Sequence, residues 1–544
     1  GLGYRRCGAL RRHRYLGEND GMNDLSDICG AEKTWLKERF AAVRPLLCPA
    51  FASAGLALLL CHYLFLVNGY TGPDGLCEGL LWATNLSWNI RLGRWIMAWS
   101  RQASLSIVMP ALFWAANTVA IAISTLLLAD MWKLRSCRFV ILCCISLAVA
   151  PAVVWQALVV HLTLCFTLAM LLGVVCVYLV FMRPSPFRFC IAVLCLTLSM
   201  GGYQAYVGLA AGLTLLTIVL CCLRGEALRP MFGFAGKMLG TGLLSGAAYL
   251  AITKVTQLMW HTTMADYCGA DQISLGQSLA RLAPSLTHAY QDFFGYYRME
   301  TAHIGTAFGS CLILTALYAL LYSLHNLRKQ PANFAVAAAC VLILPLAFNA
   351  IDVIAPDVRV DRLMSYPMQF MLPFCMAVWT LPAARSLHKA ARLIGTVLTV
   401  CVCWMFAISA TATYRSVELS YKYVGTLTDS ILAQVLADPE YTVDTRILMA
   451  GFPDESRVQN SNALYWFSQY QRSPLFWGGT HGLLDCWPTY LYDYHGIDAG
   501  AVTLDEYRDI VSSEEFAAMP LYPQEGSMAY FGDILVVKLQ NDLP

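Results

Sequence analysis

Charge is what this chain has least of. Only 13% of its 544 residues are Asp, Glu, Lys or Arg, 58% are hydrophobic, and mean hydropathy is +0.54. A water-soluble domain carries about twice that share of charge, so a soluble globular enzyme is excluded and a polytopic membrane protein indicated. Residues 1–45 show no cleavable-signal pattern either. Residues 1–45 are polar and Arg-rich (Arg5, Arg6, Arg11, Arg12, Arg14), and the first apolar run, Leu46 to Val67, is too long for a signal core and lacks a small-residue cleavage site. It reads as a retained helix. No disulfide framework or zinc-type CxxC pairing is visible among the 21 cysteines. Most, such as Cys143, Cys144, Cys165, Cys176, Cys221, Cys222, Cys401 and Cys403, lie in apolar runs and read as small buried hydrophobes. The C-terminal part holds only Cys486.

The net charge of +2 conceals an asymmetry. Residues 1–414 hold 30 Lys/Arg against 17 Asp/Glu, and the remainder 7 against 18. A basic membrane part is therefore followed by an acidic domain, which the phosphate backbone of a nucleic acid would repel. Apolar runs predict spans at 46–67, 104–128, 139–155, 157–182, 187–201, 203–223, 238–259, 302–324, 332–351, 366–383 and 393–413. Alternate connections carry Lys133-Leu134-Arg135 with Arg138, Arg183 with Arg188, Arg224 with Arg229 and Lys237, Arg328-Lys329, and Arg385 to Arg392. By the positive-inside rule these face the cytoplasm. The expected fold is thus an α-helical polytopic membrane protein of about eleven helices. It has a cytoplasmic segment 1–45, a transmembrane domain 46–413 and a small extracytoplasmic α/β domain 414–544. The run 187–223 must then be two short helices meeting at Gly201-Gly202-Tyr203.

Polar residues gather on the predicted outer face. Asp74 follows the first span in Thr71-Gly72-Pro73-Asp74-Gly75, and Glu78 comes one helical turn later. Pro-Asp-Gly is also an ordinary turn tripeptide. In 86–101, Trp88, Leu92, Trp95 and Trp99 share one helical face, with Arg91, Arg94 and Arg101 to its side, which puts guanidiniums at headgroup level. Leu275, Leu279, Leu282 and Leu286 recur at helical spacing and suggest either an interfacial helix or packing over the span ends. The loop holding Asp352, Asp357, Arg359, Asp361 and Arg362 alternates acid and base, as a salt-bridged loop or a phosphate clamp would. His161, inside a span, reads as a hydrogen-bonded helix contact rather than a ligand. In the acidic part, Thr503-Leu504-Asp505-Glu506 is a capping box, and 446–450, 529–531 and 534–537 read as strands. Its many aromatics read mainly as core, with some able to stack on sugars.

An acid after the first span, then Gly93-Arg94-Trp95, then Ser199-Met200-Gly201-Gly202-Tyr203-Gln204-Ala205-Tyr206, resembles the bacterial glucosyl transferase II family over about residues 55–415. That family belongs to the GT-C group of polytopic glycosyltransferases. Members often carry two adjacent acids after the first span, and here Gly75 stands at the second position. The resemblance implies transfer of a sugar, glucose by the family's name, from a polyprenyl-phosphate donor to a surface glycan outside the cytoplasmic membrane, commonly with inversion. It makes Asp74 the candidate base, with Glu78 as a second acid. Arg91, Arg94, Arg359 and Arg362 become candidates for the donor phosphate, and Tyr203, Gln204, Asp357 and Asp361 for sugar or acceptor. Neither a cofactor nor a metal is expected to be required, although Asp74 and Glu78 could share a divalent ion. The rivals are a flippase or transporter, which the uncharged mid-depth of the spans disfavours, a glycan-binding assembly protein, and a surface-glycan polymerase or ligase.

Overall fold

The computed structural model describes residues 25–77, 86–104, 107–182, 185–265, 281–295, 304–354, 363–381, 386–453 and 479–543. Residues 1–45 form one compact unit and 46–544 another. The first contains the helix Leu25–Val43, a 19-residue element with much of its surface exposed.

The second unit is a bundle of apolar helices. Seven helices among the described residues are long and apolar enough to cross a membrane, or eight if a bent pair counts as one span. They are Pro110–Met131, Val160–Phe181, Gln204–Leu223, Leu228–Met259, Pro331–Phe348, Lys389–Ala437 and one ending at Cys61. The predicted span 139–155 is instead the bent pair, Cys137–Ala148 and Pro151–Leu158, at 48°. Proline at 151 holds Ala150 extended and removes a backbone donor, so the first helix cannot run on. The break predicted near Gly201-Gly202-Tyr203 is present: Pro186–Gly202 ends and Tyr203 is extended (φ −153°) before the chain re-enters helix at Val207.

Around Thr163–Phe181 pack Pro186–Gly202, Pro110–Met131 and Val207–Leu223, and the last packs on Pro331–Phe348. Leu228–Met259 leaves Leu239, Leu243, Leu250 and Leu258 more than 60% exposed, the mark of a helix that meets lipid rather than water. One end of the bundle is basic and latched. Buried Asp130 accepts from Arg135 Nη2 at 2.5 Å and from the Tyr178 hydroxyl at 2.8 Å. Arg224 donates to the Trp132 carbonyl at 2.7 Å, and Lys133 pairs with Glu226 at 3.1 Å. These contacts bring the basic connections around 133 and 224 to the same end.

The helix Ser386–Ala437 runs unbroken through Tyr414 for 52 residues. At 1.5 Å per residue it is about 78 Å long, more than twice a hydrocarbon core of about 30 Å. Beyond it in the chain comes a three-stranded sheet of β1 (Arg446–Ala450), β2 (Met528–Phe531) and β3 (Ile534–Lys538), in the order β1-β3-β2. β1 runs parallel to β3, and β2 pairs with β3 as an antiparallel hairpin turning at Gly532. The capping box at Thr503 and Glu506 is formed. Arg446 grips Glu506 and Asp533 together, at 2.8–3.0 Å. Reading the cysteines as packing residues alone needs one correction. Cys486 is disulfide-bonded. No other cysteine follows Cys403, so this bond ties the C-terminal part back to the preceding chain.

Candidate functional site

The turn that carries Asp74 is built on backbone contacts. The helix Tyr63–Asn68 stops at Gly69 in the left-handed conformation, and the short helix Pro73–Cys77 starts with proline in its first turn. Between them Gly72 N–H donates to the Leu158 carbonyl at 2.9 Å. His161 Nε2 donates to the Gly75 carbonyl at 2.8 Å, which fixes the proton on that ring nitrogen. Thr71, Gly72, Pro73, Gly75 and Leu76 are buried while Asp74 is exposed. The main chain is clamped and the carboxylate is presented. A side chain at position 75 would put its Cβ 2.5 Å from Thr71 Cβ and 2.6 Å from the Leu158 oxygen, so a second adjacent acid has no room.

The segment Gly93-Arg94-Trp95 reverses the chain between two helices. Ser87–Arg91 ends in a Schellman motif: Gly93 N–H donates to Ile90 O at 2.9 Å and Arg94 N–H to Asn89 O at 2.8 Å, with Gly93 at φ +72°. A Cβ there would lie 2.5 Å from the Tyr249 hydroxyl. The reversal aims Arg94 at the break between Pro186–Gly202 and Val207–Leu223. Its guanidinium lies 4.8 Å from the centre of the Tyr203 ring, and Nε donates to Gln204 Oε1 at 3.3 Å. Gln204 in turn donates from Nε2 to the Leu92 carbonyl at 2.6 Å and to the Tyr249 hydroxyl at 2.9 Å. With both amide hydrogens spent on acceptors, its oxygen is committed to Arg94. The Arg94 Nη groups make no hydrogen bond among the described residues. Oriented donors on a half-buried cation suit a phosphate.

Both pieces rest on one segment, 158–166. Leu158 and His161 hold the Asp74 turn, while Cys165 packs on Gly202 and Phe166 meets the Tyr203 ring edge-on at 5.2 Å. His161 was legible only as an intramembrane histidine with a hydrogen bond. Its partner turns out to be the backbone of the Asp74 turn. Arg101, merely off to one side in the sequence reading, is 2% exposed. It follows Arg94 by seven residues, which puts it two turns along the same helical face, and its helix Trp95–Ser104 packs on Val160–Leu162. A buried guanidinium there joins the candidate set.

Of the other proposed residues only Arg91 is described. Arg91 is exposed, with its guanidinium 6.0 Å from the Trp88 ring. Glu78, Asp357, Arg359, Asp361 and Arg362 lie outside the described residues. Asp352, at the start of the same acid–base loop, is described and 1% exposed. Among the described residues no three His, Cys, Asp or Glu come together as a metal site.

A family model described as glucosyl transferase GtrII matches residues 81–378, more than half the chain. The chain belongs to the glucosyl transferase GtrII family. No curated protein and no solved structure matches it. Membership makes it a membrane-embedded glycosyltransferase. The GtrII match takes in the Gly93-Arg94-Trp95 and Tyr203-Gln204 segments, begins after Asp74 and ends before the C-terminal sheet.

Proposed function

We propose that this protein transfers glucose from a polyprenyl-phosphate donor to a surface glycan at the outer face of the cytoplasmic membrane. It would do so within an eleven-span topology whose C-terminal domain is extracytoplasmic. Asp74 accepts the acceptor hydroxyl's proton as that oxygen bonds to the anomeric carbon. The bond from that carbon to the phosphate oxygen breaks, its electron pair leaves with the phosphate, and the anomeric configuration inverts. Arg94, oriented by Tyr203 and Gln204, stabilises the departing charge, with Arg91, Arg359 and Arg362 as further phosphate candidates, and Asp357 and Asp361 serve sugar or acceptor. Glu78 is the second candidate acid.

The observation that carries this reading is the locked Arg94 cluster, oriented by Gln204 and Tyr203 and resting on the same segment that clamps the Asp74 turn. Two further features support it. A groove of about 820 Å³, lined by Leu56, Leu60, Ile145, Cys403, Trp404 and Ala407, has the chemistry for an isoprenoid tail, and it reaches Cys61 and Ala412 below the Asp74 end. A disulfide at Cys486 suits the oxidising side of the membrane, opposite the basic loops.

The test uses purified protein in proteoliposomes, polyprenyl-phosphate carrying radiolabelled glucose, and surface glycan from cells lacking the gene. Acceptor-dependent release of polyprenyl phosphate is expected. Asp74→Asn should lower turnover by about 10²–10⁴-fold while donor still binds. Full activity of that variant, or movement of intact donor across the bilayer without cleavage, would overturn the reading.

A further inference from the structure

We infer that the C-terminal part is a working component of the transferase and that Tyr421 is a positioning residue for Asp74. This rests on the reading of Asp74 as base. Tyr421 sits on the long helix Ser386–Ala437, seven residues beyond Tyr414, and is 4% exposed. Its hydroxyl accepts from Thr71 N–H at 3.3 Å and donates to the Thr71 carbonyl at 3.1 Å, so one oxygen reads both main-chain groups of a single residue. Its ring stacks on Tyr70 with centroids 4.2 Å apart and planes 11° from parallel. Tyr70 and Thr71 are the last residues before the Gly72-Pro73-Asp74 turn. Tyr421 therefore fixes the segment that delivers the carboxylate.

The C-terminal part backs this clamp. Tyr494 places its hydroxyl 3.3 Å from that of Tyr421 and stacks on Tyr490 at 5.4 Å. Burial pushes both the Tyr490 and Tyr494 phenols up, so they remain protonated donors at physiological pH. The helix Trp487–His495, which carries both tyrosines, and Gly482–Cys486 before it pack against Pro73–Cys77. At their junction stands Cys486, whose disulfide fastens them to the preceding chain. A packing role alone would be met by phenylalanine, since an apolar ring fills the same space without burying a hydroxyl. Tyr421 spends that hydroxyl on the backbone of the base-bearing turn. The C-terminal part thereby holds the approach to Asp74 at Thr71, while Leu158 and His161 hold the turn at Gly72 and Gly75.

The proteoliposome assay above tests it with Tyr421→Phe, Cys486→Ser and Asp74→Asn side by side. Tyr421→Phe keeps the stack on Tyr70 and loses the polar clamp. It should lower kcat by about tenfold, leave KM for the labelled polyprenyl-phosphate glucose unchanged, and shift the acidic limb of the kcat–pH profile. Cys486→Ser should do the same in milder form. Each variant's folded fraction is read from its gel-filtration profile and Tm. Wild-type kcat and pH profile in Tyr421→Phe, with Asp74→Asn inactive, overturns the positioning role and leaves the reading of Asp74 intact. A fall in kcat that only tracks lost folded protein overturns it equally. Full activity of Asp74→Asn removes the base itself, and this inference with it.

Discussion

The indole of Trp95 fills the space that a side chain at position 201 would need. A Cβ on Gly201 would stand 2.3 Å from the ring, and Trp95 is only 2% exposed. Two short motifs, more than a hundred residues apart, are thus one packed unit. Gly201→Ala is expected to force them apart, costing about 1–3 kcal/mol as overpacking does. Arg94 would lose its place over Tyr203, and glucosyl transfer would fall with it. Pairing it with Trp95→Leu should restore part of the loss. A double-mutant cycle on Tm and kcat would show coupling, whereas strict additivity would mean the contact is incidental.

Gly93 sets the direction of Arg94, so Gly93→Ala combines two faults. An L-residue at φ +72° is strained by about 1–2 kcal/mol, and the new Cβ would collide with the Tyr249 hydroxyl. Tyr249→Phe should relieve only the collision. Donor affinity, measured by equilibrium binding of labelled polyprenyl-phosphate glucose, is expected to weaken in Gly93→Ala and to recover in part in the double variant.

Much of this was legible locally, and the remainder was not, for physical reasons. Apolar run lengths predicted a helical membrane bundle, of which seven or eight candidate spans stand among the described residues, and the break at Gly202-Tyr203 and the sheet at 446–450 and 528–538 fall where pattern placed them. Hydropathy missed the bend at Pro151, because two apolar half-helices read as one run. It also stopped at Tyr414, although the helix continues. The signal was there in Val417, Tyr421, Val424, Thr428, Ile431 and Val435, buried at alternating three- and four-residue spacing. Composition turned polar at that point and masked the periodicity. The Gln204–Arg94 and Tyr421–Thr71 contacts join residues 110 and 350 positions apart, and no local window contains them. Arg101 looked like its exposed neighbours because a charged side chain gives no sequence sign of its own burial.

Placing a second acid beside Asp74 is expected to harm rather than help. Gly75→Asp would drive Cβ against Thr71 and the Leu158 carbonyl, which is backbone and cannot swing aside. The His161 bond to the Gly75 carbonyl would be disturbed with it. Turnover should fall by about 10²-fold, the scale at which a misplaced catalytic group is felt. A Gly75→Asp enzyme more active than the parent would show that the turn adapts and that its backbone clamp is soft.

The C-terminal sheet has an acid limit that can be assigned. Hydrogen bonds from Arg446, and from the Thr503 main chain and hydroxyl, lower the Glu506 pKa from 4.5 to about 2. Asp533, held by the same guanidinium, is lowered as well. A carboxylate depressed on folding adds stability that is complete above its unfolded value and lost as pH falls through the folded one. Protection should therefore decline between pH 4.5 and about 2. Glu506→Gln separates the two roles of the residue, since glutamine can still close the capping box while carrying no charge for Arg446. Pepsin works throughout this window and reports opening of the C-terminal part in the full-length protein. The parent should resist near pH 4.5 and yield towards pH 2, while the variant should be cut sooner with a flatter pH dependence. Identical profiles for the two proteins would mean that the Arg446–Glu506 pair contributes nothing to the acid response.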